Sequence, residues 1–288
     1  MDVLSQLLYQ LVNGFVWGLI IALIALGLSL IFGLIEVVNI AHGSLYMLGA
    51  VLAWYVAEFT GSFWLALAVA PVGVGLVGLL VERVVLRPIE DRPIITIIAT
   101  FGVLLIIQQG VLGVFGGAPR RIAAPFIQNF PLMGVGYPVY RVFVAIVSLL
   151  AIGTLWVFLQ WTKFGLWMRA VRQNREMALA LGIPTHQVYM ATFGLGSAMA
   201  ALGGVLAAPI VTVEFQMGLK MLVTAFMVAV IGGLGSLGGS LVAALLIGEL
   251  EGLLSVVIEP THARVVSLLL MAVVLLWKPE GIMGKSKA

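Results

Sequence analysis

Long apolar runs broken by short polar intervals set the rhythm of this chain. Segments at about 7–34, 44–60, 63–81, 94–115, 142–161, 188–210, 221–233, 239–258 and 264–277 are each dominated by apolar residues. About 20 such residues wound as a helix cross the hydrocarbon core of a bilayer. The pattern predicts an all-α polytopic membrane protein, a bundle of eight or nine transmembrane helices within one domain spanning 1–288. Segments 221–233 and 264–277 are short. Either they are tilted beside unwound chain, or one of them does not cross.

The polar intervals carry the orientation. Arg83, Arg87 and Arg92 fall between the third and fourth runs. Lys163, Arg169, Arg172 and Arg175 fall between the fifth and sixth, and Lys278, Lys285 and Lys287 follow the last. Basic residues in short loops stay in the cytoplasm. With nine crossings all three intervals lie on that side, which leaves the N-terminus outside and the C-terminus inside. Arg120, Arg121, Arg141, Lys220 and Arg264 are spread over the other side. The opening "MDVLSQLLYQLVNG" lacks the basic flank of a cleaved signal, so the first run is expected to remain as a span. Two intervals have substance. They are a proline-punctuated outer loop at about 116–141 and a cytoplasmic helical segment at about 163–187, which stops at Gly182 and Pro184.

Composition agrees with this picture and removes alternatives. Hydrophobic residues make up 62% of the chain and charged residues 9%, against about 25% charged in soluble domains. The 34 glycines suit close helix approach in lipid. The absence of cysteine excludes a disulfide framework, a thiolate metal site and a thiol nucleophile. Three histidines without a second ligand at helical spacing give no metal site and no catalytic constellation. The net charge of +3 resides in loops between spans, and no nucleic-acid partner is expected.

Few polar residues sit near the apolar runs. In "VVNIAHGSLYMLGA", Asn39 and His42 are three residues apart and share a face if helical, and Gly43 allows a break or close packing. They fit helix caps that fix a turn at the inner interface, or part of a gate on the solute path. Glu249 and Glu251 in "LLIGELEGLLS" point to different faces of the outer half of their span. One of them lines an aqueous path or makes an interhelical bond. Glu214 and Lys220 flank an outer turn and read as solvated. "GIMGKS" has the ending of a phosphate-binding loop, but the opening glycine of that pattern falls at Pro279 and no strand precedes it. The chain is therefore expected to bind no cofactor. The run Glu176 to Gly182 is a short helix with a glycine stop, exposing Met177, Leu179 and Leu181 among arginines. It fits a helix lying on anionic lipid, or one that docks on a partner.

That run resembles the coupling motif of ABC-importer permeases, Glu-Ala-Ala-three residues-Gly, with Met177 in place of an alanine. "GLSLIFGLIEVVNIAHGSLYMLGA" resembles more specifically the H-type permease of the branched-chain amino acid ABC importers. "WMRAVRQNREMALALGIPTHQVYMATFGLGSAMAALGGVLA", "GGLGSLGGSLVAALLIGELEGLLS" and "KPEGIMG" extend the likeness in order over the whole chain. The resemblance implies a second permease subunit, two ATPase subunits that hold ATP-Mg, an extracytoplasmic binding protein and a bacterial-type cytoplasmic membrane. It implies ATPase coupling through Arg172, Arg175, Glu176, Ala178 and Gly182. A gate or path role is expected for Asn39, His42, Gly43 and Glu251. Related systems carry branched-chain and other amino acids, urea or short amides, and small aromatic carboxylates. An ion-coupled transporter is disfavoured by the scarcity of paired ionisable groups in the spans.

Overall fold

The computed structural model describes residues 3–89, 92–132 and 135–284. Its helices are α1 (Val3–Ile35), α2 (His42–Thr60), α3 (Phe63–Val81), α4 (Pro93–Phe115), α5 (Val139–Trp161), α6 (Lys163–Gln173), α7 (Arg175–Ala180), α8 (Thr185–Ala207), α9 (Met217–Gly232), α10 (Leu237–Leu254) and α11 (Pro260–Trp277). The nine longer helices correspond one for one to the nine apolar runs. Six of them, α1, α3, α4, α5, α8 and α10, are long and apolar enough to cross a bilayer, while α9 and α11 are shorter apolar helices. The chain is all-α and polytopic. A π-helical turn over Glu82–Leu86 extends α3.

Helix α1 is the core. From Leu19 to Ile31 it is almost wholly enclosed by α8, α9, α10 and α5. Small residues let the backbones meet. A Cβ on Gly14 would stand 2.7 Å from the Gly248 carbonyl, and one on Gly252 would stand 2.8 Å from the Gln10 carbonyl. Without a hydrophobic drive between helices in lipid, such contact supplies the van der Waals energy of association. Across the same helix pair Ser29 and Ser240 join their hydroxyls at 2.5 Å, both fully buried. The outward faces of α3, α4 and α5 are apolar, with Val72, Leu76, Ile98, Ile106 and Leu150 all exposed. That continuous surface is suited to lipid.

The described parts of the three basic intervals meet at one end of the bundle, and Lys285 and Lys287 lie outside the described residues. Arg87 and Arg92 line a cavity with Arg175, and α6 shares another with Met283 and Gly284. The opposite end carries a hairpin. Segment 116–141, read as a loop, contains β1 (Asn129–Leu132) and β2 (Val135–Pro138), paired antiparallel with Asn129 opposite Pro138. Arg120 is docked: its backbone pairs with Val213 and its guanidinium lies 4.2 Å over the Trp54 ring. Glu214 and Lys220, read as solvated, form an ion pair at 2.6 Å on this end.

The helical segment expected over 163–184 is two helices. Asn174 leaves helical geometry, and its side chain accepts from the Met177 backbone at 2.9 Å. A polar residue that competes for backbone donors ends one helix and caps the next.

Candidate functional site

The chain reverses directly after α1 ends at Ile35. Glu36 takes a left-handed conformation (φ 54°), and residues 37–41 run back into the bundle. His42 is fully buried, and its Nε2–H donates to the Ile24 carbonyl at 2.9 Å. Ile24 lies 11 residues before the end of α1, about 16 Å along the axis at 1.5 Å per residue. Seven residues of extended chain reach roughly 23 Å, so the climb is physically available. The backbone N–H of Ile40 donates to Thr100 of α4 at 3.3 Å. Asn39 and His42, expected at a turn between the first two spans, are thus buried among the helices.

Asn39 is not the helix cap. Its Oδ1 accepts from the Ala41 N–H at 3.0 Å, closing a local side-chain turn, and Ala41 is the residue that precedes α2. Because a carbonyl can only accept, His42 carries its proton on Nε2, and Nδ1 is left as an acceptor. Neither His42 Nδ1 nor Asn39 Nδ2 has a hydrogen-bond partner among the described residues, although both are buried. Gly43 sits backbone to backbone with Gly218 at the start of α9. A Cβ there would overlap the Gly218 carbonyl and stand 2.6 Å from Leu222 Cβ. Asn39, His42 and Gly43 are therefore brought together, with α1, α4 and α9 around them.

Glu251 is elsewhere, on α10. Arg264 of α11 is within electrostatic reach of it and of Tyr46 on α2. Oε1 of Glu251 and Nε of Arg264 are buried without a hydrogen-bond partner among the described residues. The neighbouring Glu249 lies against Gly14 of α1, with Oε2 3.2 Å from a Cβ built there.

The coupling segment has a clear local logic. Ile183 N–H donates to Ala178 O and Gly182 N–H to Leu179 O, both at 3.0 Å, with Gly182 at φ 76°. This is the Schellman arrangement, which places glycine in the left-handed position. Ala178 is buried and seats α7, while Glu176, Met177, Leu179 and Leu181 are exposed. Arg172 and Arg175 lie on the other side. Arg172 lines a cavity with α1, and Arg175 lies 5.6 Å from the Tyr189 ring and lines a cavity with Glu36 and Glu82. The coupling set thus divides into residues presented outward and two arginines turned toward the bundle.

Asn174, Thr100, Gly218 and Glu82 escaped the sequence reading. Asn174 had a signal, a capping residue two places before an acidic residue. The others act only through tertiary contact. No cluster of metal-ligating side chains occurs among the described residues.

These features define a multi-pass helical membrane protein with an enclosed polar segment and an amphipathic helix pair at its basic end. The family model of the branched-chain amino acid transport system permease component matches residues 10–275, and the chain belongs to that family. It is 33% identical to the high-affinity branched-chain amino acid transport system permease protein LivH of Escherichia coli K12, over 98% of this chain and 97% of the relative. It is 29% identical to the corresponding BraD protein of Pseudomonas aeruginosa, over 96% of each. A probable LivH of Methanocaldococcus jannaschii is 28% identical, over 93% of this chain and 90% of that one. No solved structure matches.

Proposed function

We propose that the chain is one permease subunit of an ATP-driven importer that moves a branched-chain amino acid into the cytoplasm. The observation that carries this is the near full-length similarity to relatives named as high-affinity branched-chain amino acid permeases. The subunit pairs with a sister permease. Two ATPase subunits hold ATP-Mg, and an extracytoplasmic protein delivers the solute. The basic end faces the cytoplasm of a bacterial-type inner membrane, with the hairpin end outside.

Helix α7 is the coupling element. Met177, Leu179 and Leu181 offer an apolar surface to an ATPase groove, Glu176 adds a charge, and the Gly182 cap and buried Ala178 fix how α7 stands on the bundle. Closure of the ATPases on ATP displaces α6 and α7, and the displacement rearranges the spans. The segment at Asn39, His42 and Gly43 serves as part of the inner gate. Glu251 serves the path. No bond in the solute is made or broken by this chain.

The test is uptake of labelled leucine into proteoliposomes that hold the four-subunit complex, with ATP inside, loaded binding protein outside and all ion gradients collapsed. ATP-dependent accumulation supports the reading. Stimulated ATPase with another loaded solute changes the substrate to urea, a short amide or a small carboxylate. Accumulation that needs an ion gradient and no ATP overturns it.

A further inference from the structure

A cavity of about 780 Å³ opens at the basic end, between α1, α5, α6, α8 and the turn from α9 into α10. Small-molecule sites typically measure ~300–1,000 Å³, with apolar walls and a few placed polar groups. This one is built in that way. Leu30, Leu159 and Met168 give an apolar wall. Arg172, Glu36 and Thr192 bring a guanidinium, a carboxylate and a hydroxyl into the same lining.

The two arginines of the lining differ. Arg169 is committed to the Leu159 carbonyl. Arg172 forms no hydrogen bond or ion pair with another described residue, and its side chain is not enclosed. Its guanidinium rests against two glycines, Cζ 3.8 Å from a Cβ built on Gly33 and Nη2 3.7 Å from one built on Gly235. A planar fork with its donors unspent, beside an apolar wall, suits the carboxylate of a small apolar molecule.

We infer that this cavity binds the amino acid on its way to the cytoplasm, with Arg172 holding the α-carboxylate and the wall of Leu30, Leu159 and Met168 covering the branched side chain. This rests on the reading of the chain as an amino-acid permease. Met168 and Arg172 share one face of α6, four residues apart, so movement of α6 alters the apolar and the ionic part of the cavity together. The site empties by the same motion that couples to ATP.

The chain contains no cysteine, so a single thiol reports on the cavity. Gln160 lines it from α5. In the reconstituted complex carrying Gln160→Cys, alkylation of this chain from the basic side is followed with and without saturating leucine. Vesicles are made of phosphatidylcholine alone or with an anionic phospholipid. Leucine is expected to slow alkylation, and isoamylamine, which lacks the carboxylate, is expected not to. Arg172→Gln should weaken the protection by about ten-fold, the cost of one charge-assisted contact. Gln173→Cys serves as a second reporter if Gln160→Cys impairs assembly. Equal rates with and without leucine in a complex that still takes up leucine overturn the inference. So does protection by anionic lipid alone, or a thiol that the reagent does not reach. A wild-type complex that fails to take up leucine instead removes the permease reading itself.

Discussion

Gly43→Ala tests whether the start of α2 is held where the structure puts it. The new methyl would stand 2.6 Å from Leu222 Cβ and overlap the Gly218 carbonyl. Carbon pairs rest at about 3.5–4.0 Å, so α2 and α9 must separate by roughly 1 Å. Overpacking of this size costs about 1–3 kcal/mol. Gly218→Ala strains the same junction from the other side, with its methyl 2.6 Å from the Gly43 carbonyl and 3.1 Å from Met47 Cβ. Each substitution alone should lower the thermal midpoint of the purified complex, by about 2–4 °C per kcal/mol for a chain of this size. Once one methyl has spread the helices, part of the room for the second exists. The double variant should therefore lose about 1 kcal/mol less than the sum of the singles. Midpoints come from tryptophan fluorescence in detergent. Strict additivity, or an unchanged midpoint for Gly43→Ala, would refute the backbone contact and with it the buried position of this segment.

His42→Ala removes the bond to Ile24 and leaves a hole, with an expected loss of about 2–4 kcal/mol and reduced leucine uptake; normal uptake with normal substrate-stimulated ATPase would exclude a gating role. Ser29→Ala strands the Ser240 hydroxyl at a cost of about 1–2 kcal/mol, whereas adding Ser240→Ala should recover much of it, as read from thermal midpoints. Gly182→Asp forces a left-handed side chain into open space, so it should uncouple ATP hydrolysis from uptake or release the ATPases while the bundle midpoint moves by about 1 kcal/mol or less. Full uptake by that variant would count against α7 as the coupling element.

Much of the bundle was legible because lipid imposes a simple code. An apolar run long enough to cross must be a helix, since no water is present to satisfy its backbone. The same code hid the enclosed segment between α1 and α2. Asn39 and His42 looked like interfacial caps because polar residues usually sit there, and nothing local says that α2 begins beside Ile24. That position depends on Gly27, Gly43 and Gly218 allowing three helices to converge, and glycine is too frequent in this chain to single them out. Glu36 was unreadable for another reason. A left-handed residue at a helix end is ordinarily glycine or asparagine, and a glutamate there spends about 1–2 kcal/mol that the surrounding packing must offset. The α6–α7 break was readable in principle from Asn174, but the longer helical pattern across it concealed the cap.

Glu36 joins the α6–α7 segment to the enclosed turn in the structure. It ends α1 and opens the strand of chain that climbs to His42. It lines the cavity that contains Arg175 and, on its other side, the cavity that contains Arg172. Those arginines stand at the end of α6 and the start of α7, on either side of the Asn174 break. A displacement of either helix therefore changes the electrostatic surroundings of a residue already in a costly backbone conformation. Only six residues separate α1 from α2, and they fold into a local turn held by Asn39, whose side chain accepts from Ala41 and whose carbonyl accepts from His42. The short linkage ends at His42, which is fixed by the Ile24 carbonyl and the Gly43–Gly218 contact. The proposed gate therefore predicts that His42→Ala alters uptake without loosening α6 and α7, because the packed junction at Gly43–Gly218 is separate from the helix pair at the basic end.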